Sequence, residues 1–274
     1  MVKVICCDRT NDAELVGRLI SVIGTEKFGT TLDDYIRCIV DFDMSCILAF
    51  SLGRHAKLIH NGYDKSVPRK VINAYLQGGF LLDPFYVAAC NNHPSGLWRM
   101  QDLAPDSFHT SGFLISQDVH PCVSSEAGSL VEEIGYIVPL QGRDAIVFSL
   151  MRSQGRAAFS ETEMQTLGGQ KPIIQAALQT HWSQLHLPQL SHHEKENESD
   201  DADFARIFEG RLTATQLAVA KLILRGHSSL SIAQHLKISE GTAKLHRHNI
   251  YKRLAITSQG ELFRIFIGHL QKGE

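Results

Sequence analysis

The chain has 274 residues, 43% of them hydrophobic, enough apolar material for one large domain or two ordinary ones with buried cores. No run of 18 apolar residues occurs, and the start MVKVICCDRTND turns polar after seven residues, so neither a transmembrane helix nor a secretory leader is expected. The net charge of −2 hides a division: residues 1–203 hold 16 Lys+Arg against 25 Asp+Glu, and residues 204–274 hold 11 against 4, which restricts nucleic-acid contact to the C-terminal end.

In chain order, residues 11–27 and 31–42 have helical apolar spacing, the second with Leu32, Tyr35, Ile36 and Ile39 on one side. CILAFSLG (46–53) and AKLIH (56–60) read as strands joined by a glycine-containing turn. A helix is predicted over 66–77 with Pro68 in its first turn, and Gly78-Gly79 ends it. Asp83-Pro84 is a cap for a short helix over 85–91. Residues 92–130, with Pro94, Gly96, Pro105, Gly112, Pro121 and Gly128, read as irregular structure long enough for a lid or binding loop. EEIGYIVPL (132–140) and AIVFSLMR (145–152) form a predicted hairpin, and Ser160 with Glu163 has capping-box spacing for one long helix to about Leu185. Residues 191–203 (SHHEKENESDDAD) read as a solvated acidic linker.

This order predicts an α+β protein: an N-terminal α/β/α sandwich around an antiparallel sheet over 1–190, the linker 191–203, and an all-α C-terminal domain over 204–274. The six cysteines are scattered without a C-x-x-C pair and are expected to be reduced, mostly buried, in a cytoplasmic protein. The N-terminal histidines show no ligand-pair spacing, so no metal is expected, and no cofactor either. No P-loop, no G-x-S-x-G elbow and no receiver-type acidic pair with a strand-ending Asp occur, so the chain is not expected to be an enzyme or a phosphoacceptor.

The C-terminal stretch carries the sharpest signal. Thr213 and Gln216 cap a first helix that ends at Gly226, and Ser228 to Leu236 forms a second, burying Ile232, Ala233 and Leu236. A tight break at Lys237-Ile238 leads to Ser239, the N-cap of a third helix to about Leu254. There Ala243, Ile250 and Leu254 share one face while Lys244, His248 and Lys252 share the other, a form suited to the DNA major groove. A final helix from Ser258 carries Leu262, Ile265, Phe266 and Leu270.

The strings Leu212-Thr213, Gly226, Ile232-Ala233-x-x-Leu236, Ile238-Ser239-Glu240-Gly241-Thr242, Lys244, His246, Asn249-Ile250-Tyr251 and Leu254 resemble the helix-turn-helix of LuxR-type (GerE-type) transcription regulators. The family's acidic pair near the start is Thr215-Gln216 here, and its Glu before Ile-Ala is Ser231. The resemblance implies a dimer reading a palindromic operator in double-stranded DNA, with the final helix contributing to dimerisation. Ser239, Glu240 and Gly241 are expected to bring amides to phosphate, Thr242, Lys244 and His248 to face the groove, and Arg247 and Lys252 to hold phosphates.

The N-terminal pattern is similar to GAF/PAS-like sensor domains and to autoinducer-binding domains, and Tyr75, Asp83-Pro84 and Trp98 follow the latter's order, with Val71 where those receptors have their first Trp. That resemblance implies a small-molecule pocket, of a quorum-sensing type among the candidates. Asp83 would accept from ligand N–H groups, Trp98 would donate to a carbonyl, and Tyr75, Phe80, Phe85 and Tyr86 would form its walls. In the competing reading, Asp83 is only a helix cap, the aromatics are core, and the domain serves dimerisation or a protein partner.

Overall fold

The structure is a computed structural model that describes residues 9–51, 55–65, 67–111, 130–140, 144–186, 206–208 and 210–270. Its centre is a five-stranded antiparallel sheet of β1 (Met44–Ser51), β2 (His55–Gly62), β3 (Gly96–Arg99), β4 (Leu130–Pro139) and β5 (Ala145–Ser153), in the order β2-β1-β5-β4-β3. β1 pairs with β5, and β5 with β4, so the most apolar strands occupy the middle.

Alternation along these strands gives the sheet two different faces. Ile47 and Ala49 of β1, Ile134, Tyr136 and Val138 of β4, and Ile146, Phe148 and Leu150 of β5 share one buried cluster with residues of α1 (Arg9–Ser21), α2 (Phe28–Arg37), α6 (Glu161–Gly169) and α7 (Lys171–His186). Cys46, Leu48, Phe50, Ile137 and Val147 point the opposite way. They meet α3 (Arg69–Leu76), a 3-10 turn at Gly79–Leu82, α4 (Pro84–Cys90) and α5 (Met100–Leu103).

Local chemistry explains most boundaries. Asp83 caps α4 by accepting from the Phe85 amide, with Pro84 at the first helical position. Ser160 and Glu163 form a reciprocal capping box at α6. The structure departs from the sequence pattern in two of these elements. The single helix from Ser160 to Leu185 is two, because Gly168 and Gly169 weaken the ladder and Pro172 supplies no amide donor to continue it. The stretch 92–130 is not wholly irregular, since it contains β3, α5 and a 3-10 turn at Phe108–Thr110, while residues 112–129 and the expected linker 191–203 lie outside the described residues.

The C-terminal domain is all helical: α8 (Ala214–Leu224), α9 (Ser229–Leu236), α10 (Glu240–Leu254) and α11 (Gln259–Leu270). Val219, Ile223, Ile232, Ala243, Ile250, Leu262 and Phe266 form its buried centre. Leu236, expected to be buried, is only partly so. Among the described residues no helix is long and apolar enough to cross a membrane.

Candidate functional site

The turn between α9 and α10 is made by Lys237, in the left-handed region at φ 54°, a conformation that stops α9 and reverses the chain at once. Ser239 then restarts the helix, its Oγ accepting from the Thr242 amide at 3.0 Å and lying 2.8 Å from the Thr242 hydroxyl. On α10, Ala243, Ile250 and Leu254 are buried, and the opposite line is exposed at Gly241, Lys244, Leu245, His248 and Lys252. Lys244 Nζ lies 2.8 Å from Glu240, one turn back, and both side chains are solvent-exposed, so this pair is free to yield to a phosphate or a base edge.

Arg247 belongs elsewhere. Its side chain is partly buried and donates to Ser229 Oγ, Gln259 Oε1 and the Tyr251 hydroxyl at 3.4, 3.2 and 3.3 Å, which ties α10 to α9 and α11. A position 40° from the buried centre of the helix faces the neighbouring helices rather than the groove, roughly by the 100° advance per residue. The expected phosphate role of Arg247 therefore gives way to a bracing one.

The second candidate site is the sheet face under α3 and α4. The Tyr75 hydroxyl donates to Asp83 Oδ2 at 2.7 Å, and the Phe85 amide donates to Asp83 Oδ1 at 2.8 Å. Phe80 and Tyr86 meet edge to face at 4.9 Å between ring centres, and both rest on Phe50. Phe85 lies over Gly135, where an added Cβ would come within 2.8 Å of the ring. Five of the six predicted ligand residues thus converge, all buried. Trp98, on the edge strand β3 opposite Gly135, packs partly buried at the margin of the same cluster, and its indole N–H donates to the Pro94 carbonyl at 2.9 Å.

Sequence reasoning missed three polar groups on this same face. Glu133 sits two residues before Gly135 on β4, only 8% exposed, and Cys46 and Ser149 are adjacent partners on β1 and β5. Burial pushes the Glu133 carboxyl up to about 8, the Asp83 charge adds to this, and the Ser149 hydroxyl opposes it. Asp83 is raised by burial against the pull of Tyr75 and the Phe85 and Tyr86 amides. Burial, then Glu133, also pushes the Cys46 thiol upward. Among the described residues no Lys or Arg shifts Asp83 or Glu133. The face therefore offers hydroxyl and carboxyl hydrogen-bonding groups inside an aromatic wall, and strict period-two reading of EEIGYIV would have placed Glu133 there.

A cleft of about 1320 Å³ lies on the other side of the sheet, between α1, the end of α2 and α6, and contains none of the predicted ligand residues. Its three arginines are engaged: Arg152 holds Glu163 and the Asp41, Ala157 and Ala158 carbonyls, Arg156 pairs with Asp41 and Asp43, and Arg37 lies 4.5 Å from the Phe42 ring centre. Among the described residues no group of three His, Cys, Asp or Glu side chains is placed to hold a metal.

Residues 211–266, which span these four helices from the start of α8 into α11, match the bacterial regulatory proteins of the luxR family (GerE). Residues 211–266 are a LuxR-type (GerE) helix-turn-helix domain. An inferred HTH-type transcriptional regulator from the exeN 3' region of Aeromonas salmonicida is 29% identical over 194 residues, covering 69% of this chain and 94% of its own. The VqsR LBD domain of Pseudomonas aeruginosa shares the N-terminal fold, with a TM-score of 0.52 at 22% identity over 62% of this chain and 95% of that one. Escherichia coli SdiA aligns over 96% of this chain and 97% of its own at 15% identity and a TM-score of 0.43.

The two candidate sites are physically joined. The Ser107 amide donates to the Gly226 carbonyl at 2.9 Å, the Ser228 amide to Asp106 Oδ1 at 3.0 Å, and Arg225 Nε to the Leu81 carbonyl at 3.0 Å. Gly226, at φ 89°, allows the approach, since an added Cβ would lie 2.6 Å from Phe108 Cα. His227 is buried beside His235, and burial, then that neighbour, lowers it to about 4, so it is neutral near pH 7. Its Nδ1 lies 2.8 Å from Ser231 Oγ, which gives a purpose to the serine that replaces the family's Glu. Leu81 lies two residues before Asp83, so the α8–α9 turn touches the segment that carries the predicted ligand carboxylate.

Proposed function

We propose that the N-terminal domain senses a small molecule on the Asp83 face and thereby controls operator binding by a homodimer in the cytoplasm. The domain limits 1–190, 191–203 and 204–274 belong to this reading. The observation that carries it is the pair of buried carboxyls Asp83 and Glu133, set among aromatics where burial resists their ionisation, with the Tyr75 hydroxyl donating to Asp83. Buried polar groups of this kind are costly in a scaffold and useful in a binding site. The ligand is a small molecule that exchanges hydrogen bonds with Asp83, Tyr75 and Glu133 and packs on Phe80, Phe85 and Tyr86. Its binding shifts the population of two dimer arrangements, one of which spaces the two α10 helices for a palindromic operator.

On DNA, Lys244, His248, Thr242 and Lys252 face the groove and its phosphates, and the start of α10 at Ser239, Glu240 and Gly241 points amides at a phosphate. The reading is tested by denaturing extraction and mass spectrometry of the purified full chain, paired with thermal shifts against candidate signals. A saturable rise in melting temperature that disappears in Asp83→Asn supports it. One observation favours a second reading. Tyr75, Phe80, Phe85 and Tyr86 are at most 4% exposed, as in a closed core. In that case the domain serves dimerisation or a protein partner, and no compound co-purifies or shifts melting.

A further inference from the structure

Four large apolar side chains are exposed among the described residues: Ile20, Val131, Leu230 and Leu245. Isolated exposed leucines are common and usually mean nothing. Leu245 differs by position. It is 57% exposed and lies on α10 diametrically opposite the buried Ala243, Ile250 and Leu254, on the outward line that runs Gly241, Leu245, His248, Lys252. One turn before it, Gly241 presents no side chain, and a Cβ there would meet only Ser239 Oγ at 3.7 Å, so the backbone of that line is open to close approach. Lys244 and His248 flank it on the same surface, both exposed.

We propose that Leu245 is a specificity-determining residue that packs against the C5-methyl group of a thymine in the operator. This rests on the reading that the outward line of α10 enters the major groove. Lysine and histidine beside it supply attraction to phosphates and to acceptor atoms, and these exist at every base pair. The thymine methyl is the only apolar group the major groove displays, and an exposed branched aliphatic side chain is its natural partner. Displacing water from both gives a preference for thymine that the polar residues of the line cannot give.

Sites are selected from a random double-stranded DNA pool by the full chain, and the winning duplex is titrated in gel shifts. Selection by wild type should fix a thymine at one position of each half-site. Replacing that thymine by deoxyuridine, which removes only the methyl, should weaken binding about fourfold per half-site, the factor that follows from one buried methyl group. Leu245→Ala should bind the thymine and deoxyuridine duplexes equally and relax selection at that position alone. Lys244→Ala should weaken both duplexes together and keep their ratio. Wild type indifferent to deoxyuridine at every thymine of the site, or Leu245→Ala retaining the full methyl dependence, would overturn the inference while leaving DNA binding intact. If the full chain retains no duplex at any concentration tried, the groove-facing reading of α10 falls and this inference with it.

Discussion

The two faces of the central sheet are built from the same strands and do different work. Under α1, α2, α6 and α7 most buried polar groups are matched: Asp33 Oδ2 accepts from Ser45 and lies 2.8 Å from His60, with Asp33 Oδ1 left without a partner, the Tyr136 hydroxyl donates to the Leu167 carbonyl, and Arg152 closes four acceptors at the edge. Under α3 and α4, Asp83 and Glu133 sit in an apolar surround that resists their ionisation, and the same apolar cluster continues into the C-terminal helices. A scaffold face minimises such cost. A face that responds to something retains it, because a bound molecule or a proton can change its energy. The proposed sensing role of the Asp83 face rests on that contrast, with the opposite face as its support.

The largest effect should come from breaking the supporting face. Arg152→Ala leaves the Asp41 and Ala157 carbonyls and part of Glu163 without their donor and strips a cation from the Phe159 ring, 4.1 Å away. Chemical denaturation of the full chain should show a loss of about 3 kcal/mol, because buried carbonyls lose a charged donor while Glu163, 30% exposed, keeps part of its hydration. Next comes the junction. Gly226→Ala places a Cβ against the Phe108 backbone in a left-handed residue, which should cost about 2 kcal/mol and raise proteolysis at the junction.

The responsive face should show in pH dependence. Glu133 ionises near its ordinary value in the unfolded chain but only near 8 when folded, so the folded state holds the extra proton between those limits. Stability from this group is full below the unfolded value, falls as pH rises, and is gone above about 8. Melting of Glu133→Gln against pH should be flatter than wild type over that window, whereas an unchanged slope would remove Glu133 from the responsive face. His227 acts oppositely: its folded value near 4 lies below the unfolded one, so its contribution is complete above the unfolded value and lost on acidification towards 4. The smallest effect is expected from Asp106→Ala, which removes the acceptor of the Ser228 amide at the junction and should cost about 1 kcal/mol by the usual worth of such a cap. Amide exchange at Ser228 should rise in that variant without change in the sheet.

Much of this contrast was legible in the sequence, for physical reasons that differ by element. Period-two runs announced β1, β4 and β5, and caps such as Ser160 and Ser239 fixed helix starts because their hydroxyls bind backbone amides locally. β3 escaped notice because four residues, Gly96 to Arg99, carry too short a pattern and are defined by pairing with β4. Arg247 was misplaced because charge alone suggested phosphate, while its angle on α10 turns it towards Ser229 and Gln259. Gly226 read as a helix end and is also a contact point, a fact that depends on Phe108, more than a hundred residues away in the chain. Asp83 was found through its cap and its neighbours, but Glu133 was hidden in a strand read only for its apolar residues.

The most direct test of the responsive face is thermal unfolding of the full chain, wild type beside Asp83→Asn, against small molecules recovered from the purified protein or supplied as candidate signals. The account predicts at least one compound that raises the wild-type melting temperature saturably and leaves the variant, itself folded, unmoved. A compound that stabilises both equally, or the absence of any compound that stabilises the wild type, would contradict the assignment of sensing to this side of the sheet.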